Sequence, residues 1–194
     1  MKNKKSFTFV ETLVVMSVLG LIFPILFTTF FVILRQQLKI NRLTEVKRQG
    51  DSIVRILEET IKNNAFKIYN NSDTEICDAE GLIPEDIPAY FLNKYNSSFY
   101  LDYSDPNLFI SYEADPLSPA PAFTFPSGQL NSSKVLISSF SISCKREAQY
   151  TSPLVSINFS ICYNINETCN SAKPEETAML EYQTNIKLRT YPTQ

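Results

Sequence analysis

Residues 2–34 read KNKKSFTFVETLVVMSVLGLIFPILFTTFFVIL, and between Phe7 and Leu34 the only charged residue is Glu11. About 20 apolar helical residues cross the hydrocarbon core of a bilayer, so this run is long enough to span one. A cleaved secretory signal has an apolar core of about 7 to 15 residues followed by a small-residue cut site, and the run is about twice that length. A helix apolar all round belongs to a membrane or to a large core. The rest of the chain, out of 194 residues, is too short to enclose it. The segment therefore reads as a single membrane span.

A carboxylate near the end of a spanning helix is expensive and implies a partner or a task. A cut between Ser6 and Phe7 would place a new α-amino group about one helical turn from Glu11. Together, Lys2, Lys4, Lys5, Ser6, Phe7 and the run Phe7-Thr-Phe-Val-Glu11-Thr-Leu-Val-Val resemble the type IV prepilin motif. Ser6 stands where that family usually has glycine. The resemblance implies a 1–6 leader removed by a prepilin peptidase, N-methylation of Phe7, and helix-to-helix assembly in which the Phe7 amine pairs with a Glu11, its own or a neighbour's. It implies a minor pilin or pseudopilin, similar to the PilW or J-type class, that initiates or caps a type IV pilus or a type II secretion-like filament. Its partners would be other pilin subunits, the peptidase/methyltransferase, and the inner membrane with its pilus assembly platform. Before assembly it would be a single-pass inner-membrane protein with its C-terminal domain outside the cytoplasm. The alternative is an uncleaved, membrane-anchored binding module or receptor.

Charge is divided along the chain. Residues 1–67 carry eleven Lys and Arg against five acids, whereas residues 68–194 carry seven against fifteen. The basic part suits a membrane surface and packing within an assembly, and the acidic part offers nucleic acid no broad attraction. Lys2, Lys4 and Lys5 before the span are matched by Arg35, Lys39 and Arg42 after it, so positive residues alone do not orient it.

The chain has no His, which removes the commonest general base and metal ligand. No phosphate-binding glycine loop, nucleophile elbow or zincin motif occurs. No enzymatic activity, cofactor, metal or small-molecule substrate is therefore expected. Glu85/Asp86 and Glu175/Glu176 read as solvated loop carboxylates, and Asp73, Glu75, Asp78 and Glu80 lack the spacing and central glycine of an EF-hand. The four cysteines, Cys77, Cys144, Cys162 and Cys169, all follow the span and form no CxxC pair. Disulfides are expected, and with them a compartment outside the cytoplasm. Four cysteines permit three pairings. Cys162 lies opposite the apolar set of its strand and Cys169 seven residues on, which favours Cys162–Cys169 and Cys77–Cys144.

Beyond the span, Leu38, Ile40, Leu43, Val46, Ile53, Ile56, Leu57 and Ile61 recur mostly at steps of three and four, one helical face. The spacing predicts one helix from about Thr8 to Phe66, a transmembrane and assembly half at 7–34 and an amphipathic half at 35–67. Pro24, pressing on the carbonyl of Gly20, predicts a kink or local break. Gly50 costs about 1 kcal/mol against alanine.

Residues 68–194 read as a disulfide-bonded β-sheet domain. Prolines interrupt 70–128 and make 114–126 a loop, leaving short strands at 89–92, 98–103 and 108–112, the last two forming a hairpin across Ser104–Asn107. Three longer strands follow. Leu136, Ser138, Phe140, Ile142 and Cys144 share a face of the first; Val155, Ile157, Phe159, Ile161 and Tyr163 of the second; Leu180, Tyr182, Thr184, Ile186 and Leu188 of the third. The fold class is α+β, a long N-terminal helix packed against an antiparallel β-sheet, which is also what a type IV pilin-like fold would supply.

Overall fold

One helix, α1 (Phe9–Asn64), dominates the chain. A computed structural model describes residues 8–69, 76–77, 81–83, 88–93, 97–112, 125, 127–146, 151–169 and 177–189. The helix continues through Gly20 and Pro24 as a single element, so the proline does not break it. It stops at Asn64, before Phe66. Ala65 turns extended and donates its N–H to Ile61 O at 2.8 Å, and Phe66 N–H already bonds Leu92 O at 2.8 Å.

Among the described residues, nine strands follow in two antiparallel sheets, where the sequence reading expected one. The first sheet joins β1 (Lys67–Tyr69), β3 (Ala89–Leu92), β4 (Ser98–Ser104), β5 (Asn107–Tyr112) and β6 (Gly128–Gln129) in that order. The expected hairpin is there, with Ser104 opposite Asn107 and Asp105 and Pro106 at the tip. The second sheet has the order β2 (Gly81–Ile83), β7 (Val135–Lys145), β8 (Leu154–Tyr163), β9 (Met179–Lys187). The sheets divide because the chain leaving α1 supplies β1 as an edge for β3, so the short aromatic strands build outward from the helix end rather than onto β7.

Hydrogen bonds from three residues, Ile137, Tyr103 and Asn131, tie the two sheets. Ile137 N–H bonds Pro106 O at 2.9 Å, and the Tyr103 hydroxyl donates to Ile137 O at 3.1 Å. Buried Asn131 accepts from Leu108 N–H at 3.0 Å and donates to Val135 O at 3.0 Å. A buried amide satisfied in this way ties strands that share no ladder. The core is continuous across both sheets and the lower helix, from Val46, Ile53, Leu57 and Ile61 to Phe91, Phe99, Ile110, Ile157 and Ile161.

The expected face of β8 is buried from Val155 to Ile161 and half-buried at Tyr163, and that of β9 is buried at Thr184 and Ile186 and half-buried at Leu180 and Tyr182. In β7 the alternation breaks. A bulge between Ile137 and Ser139 puts Val135 and Ile137 on the core side above it and Phe140, Ile142 and Cys144 below it, with Ser138 exposed. Leu136 is buried too, paired with Cys162 on the opposite face.

The helix joins the second sheet along β9, which runs in the same direction as α1. The Tyr182 hydroxyl meets Lys47 O and Asp51 Oδ1, each at 3.1 Å. Farther along, Thr184 donates to Glu58 Oε1 at 2.5 Å and Arg189 to Asn63 Oδ1 at 3.5 Å. Gly50 is required here. A Cβ at that position would overlap the Tyr182 ring, 2.7 Å from its hydroxyl.

Candidate membrane and assembly segment

From Phe9 to Asn41 every residue of α1 is exposed, and burial begins with Val46. Leu38 and Ile40, expected in the buried face, are 58% and 59% exposed because the domain does not reach them. The projecting rod is about 50 Å long at 1.5 Å per residue. It is long and apolar enough to cross a membrane. Its chemistry suits that use, because backbone and side-chain polar groups in hydrocarbon must be satisfied internally. Each hydroxyl between Phe9 and Leu34 bonds a carbonyl of its own helix: Thr12 to Phe9 O, Ser17 to Val14 O, Thr28 to Pro24 O and Thr29 to Leu26 O, at 2.7–2.9 Å. Gly20 has open space where a Cβ would stand.

Glu11 closes the N-terminus. Thr8 N–H and Thr8 Oγ1 both donate to Glu11 Oε2, at 3.1 and 3.2 Å, while Glu11 N–H donates to Thr8 Oγ1 at 3.4 Å. This is a capping box: two otherwise orphaned N–H groups are satisfied reciprocally. Sequence reasoning gave Glu11 a partner in Phe7 and missed Thr8, although the Thr-x-x-Glu signature was present. Oε1 takes no bond from any described residue and remains open to a further donor. Ser6 and Phe7 lie outside the described residues.

Both expected disulfides are formed. Cys77 is joined to Cys144 and Cys162 to Cys169, with Cα–Cα distances of 4.9 and 5.5 Å. The first fastens the segment after β1 to the far end of β7, and the second closes a small loop beside Leu136. Asp73, Glu75, Asp78, Glu80 and the paired loop acids lie outside the described residues, among which no group of three metal-ligating side chains occurs. The outer face of the second sheet carries an open polar groove lined by Ser139, Ser141, Asn158, Ser160, Glu181 and Gln183, with no nucleophile paired to a base.

Two ionisable groups at the joint are displaced from their ordinary range. Burial, with a hydrogen bond to the Asp51 carboxylate and that carboxylate's charge, pushes the Tyr182 phenol up to about 12. The Arg48 guanidinium, 2.8 Å from Glu45, holds the Glu45 carboxyl below the usual range. Comparison with known proteins leaves the geometry to stand alone: no protein-family model, no curated protein and no solved structure matches the chain.

Proposed function

We propose that this chain is a non-enzymatic filament subunit of the type IV pilin-like class, a minor pilin or pseudopilin, that assembles through the projecting half of α1. The observation that carries the reading is the rod itself. Apolar on all sides from Phe9 to Leu34 save for one acid at its tip, exposed as far as Asn41, and carrying a disulfide-bonded β domain at its base, it needs a bilayer first and like helices afterwards. Cleavage between Ser6 and Phe7 would leave the new amine next to the capping box. There it would donate to Glu11 Oε1, its own or a neighbour's, and relieve the cost of placing a carboxylate in an apolar bundle. The inner membrane, the prepilin peptidase and a pilus assembly platform are the partners this reading requires.

One observation favours the alternative, an uncleaved anchor for a binding domain. Glu11 is already partnered by Thr8, so in the intact chain it does not need the amine. The N-terminus of the mature protein separates the two. Mass spectrometry finding methylated phenylalanine at position 7 supports the filament subunit, whereas an intact Met1 leader establishes the anchor.

A further inference from the structure

The first charge after the apolar run is Arg35, followed by Lys39 and Arg42. Steps of four and three place all three on one face of α1, and the same steps continue to Val46, Gly50 and Ile53, the face the domain covers. The cations therefore line the inner corner where the domain overhangs the stem. Its ceiling is set by Tyr163, whose ring centroid lies 5.3 Å from the Arg42 guanidinium. Lys134 lies nearby: Asn164, next to Tyr163, donates its N–H to Lys134 O at 2.9 Å, and the Lys134 charge acts on the Glu45 carboxyl. Among the described residues, the acids on the elements that form this corner are Glu45, already paired with Arg48, and Glu167, whose N–H bonds Asn164 Oδ1 at 2.8 Å. Arg35 and Lys39 are exposed, and no described residue pairs with either.

Height above the apolar run decides what reaches them. Lys39 lies about 8 Å and Arg42 about 12 Å beyond Leu34 along the axis. A headgroup layer is about 5 to 8 Å deep on each side of the hydrocarbon core. Three cations here also cancel the orienting signal of Lys2, Lys4 and Lys5, a topological cost that a lipid-binding role would offset.

We propose that Arg35 and Lys39, backed by Arg42 and Lys134, bind the phosphate headgroups of anionic phospholipid in the domain-side leaflet. They thereby hold an acidic domain against the membrane surface. The inference rests on α1 crossing the bilayer, which both readings above share.

The test uses the full-length protein in phosphatidylcholine vesicles carrying phosphatidylglycerol only in the leaflet on the domain side, so that the leader lysines do not contribute. After mild extraction, native mass spectrometry reads the ratio of the two lipids retained. One Lys or Arg near an anionic surface changes binding about fivefold. Phosphatidylglycerol should therefore be enriched at least about fivefold over its share of the leaflet. Enrichment should fall toward unity in Arg35→Gln/Lys39→Gln and in high salt, and persist in Arg35→Lys. Both positions lie outside the packed core, so the double variant keeps its fold, which disulfide formation verifies. Unchanged enrichment in the double variant overturns the proposal. So does an unchanged lipid ratio with loss of a co-purifying acidic subunit, which assigns the corner to a protein. Resistance to alkaline extraction is read in parallel: a chain that fails to insert overturns the membrane reading, whereas one that inserts without enrichment overturns only this inference.

Discussion

At the scale of single residues, two positions combine roles that substitution can separate. Glu11 is a cap acceptor in the intact chain and, on the filament reading, an ion-pair partner after cleavage. Glutamine at the third position of a capping box still reaches back to the cap N–H, so Glu11→Gln keeps the first role and loses the second. Alanine loses both. If pairing with the Phe7 amine drives assembly, both variants should be depleted at least about tenfold from sheared filaments, the effect of about 1.4 kcal/mol per contact. If capping is all that matters, glutamine should incorporate like the parent. Gly50 is the other position. Alanine there gains about 1 kcal/mol of helix propensity but forces the Tyr182 ring off the backbone, an overpacking cost of about 1 to 3 kcal/mol. Gly50→Ala should therefore be destabilising in the parent and stabilising in Tyr182→Ala, a sign reversal that a double-mutant cycle by pulse proteolysis detects. Tyr182 also predicts a pH dependence. Its folded pKa of about 12 lies above the ordinary value of 10.0, so between these values the unfolded chain binds fewer protons than the folded one. Stability then falls as pH rises. The contribution is intact below pH 10 and lost on the way to 12, and Tyr182→Phe should remove that part of the alkaline slope.

At the scale of elements, the two disulfides differ in what they constrain. The loops they close span separations of 67 and 7 residues, and the chain-entropy relation gives about 4 kcal/mol for the first and about 2 for the second. Serine pairs at Cys77/Cys144 should lower the stability of the detergent-solubilised protein about twice as much as serine pairs at Cys162/Cys169. Equal losses would mean that the unfolded chain is not the state these bridges act on. Legibility also varied by element. The helix was readable because its first half is apolar on all sides and its second repeats at three and four. The hairpin was readable from Ser-Asp-Pro-Asn between aromatic alternations. The β7 bulge was not, because Val135-Leu136-Ile137 is apolar on both faces and period two then fits either register. The loss of burial above Arg42 was equally hidden: Leu38 and Ile40 keep the periodicity, but the reach of the sheet sets what is covered. Nine residues of β9 extend about 30 Å and match about 20 residues of helix, close to the stretch from Arg42 to Asn64. The contact of Tyr182 with Gly50 joins distant parts of the chain, and no local pattern announces it. Within the candidate site, Glu11 and the apolar run were legible from charge and length. The Thr8 contact is legible too, in Thr-x-x-Glu ahead of an apolar run.

At the scale of the whole molecule, one continuous helix serves two surroundings, an exposed rod and a packed domain. The fully buried residues of α1 begin at Val46, with Leu43 packed against the core one turn earlier, and nothing from Phe9 to Asn41 is covered. Removing residues 1–40 should therefore cost the domain almost no buried area. The cut would also leave a competent helix start. Asn41 is a favoured N-cap residue, Glu45 falls in the new first turn where a negative charge is stabilising, and the joint at Tyr182, Thr184 and Arg189 is untouched. Residues 41–194 should be soluble without detergent. They should retain both disulfides and the near-ultraviolet signal of the stacked Phe159–Tyr182 pair, whose ring centroids are 5.2 Å apart, and unfold within about 1 kcal/mol of the full-length domain, the range expected of a change that touches no packed contact. A truncated chain that aggregates, or loses several kcal/mol, would show that the exposed rod stabilises the domain through contacts this architecture lacks.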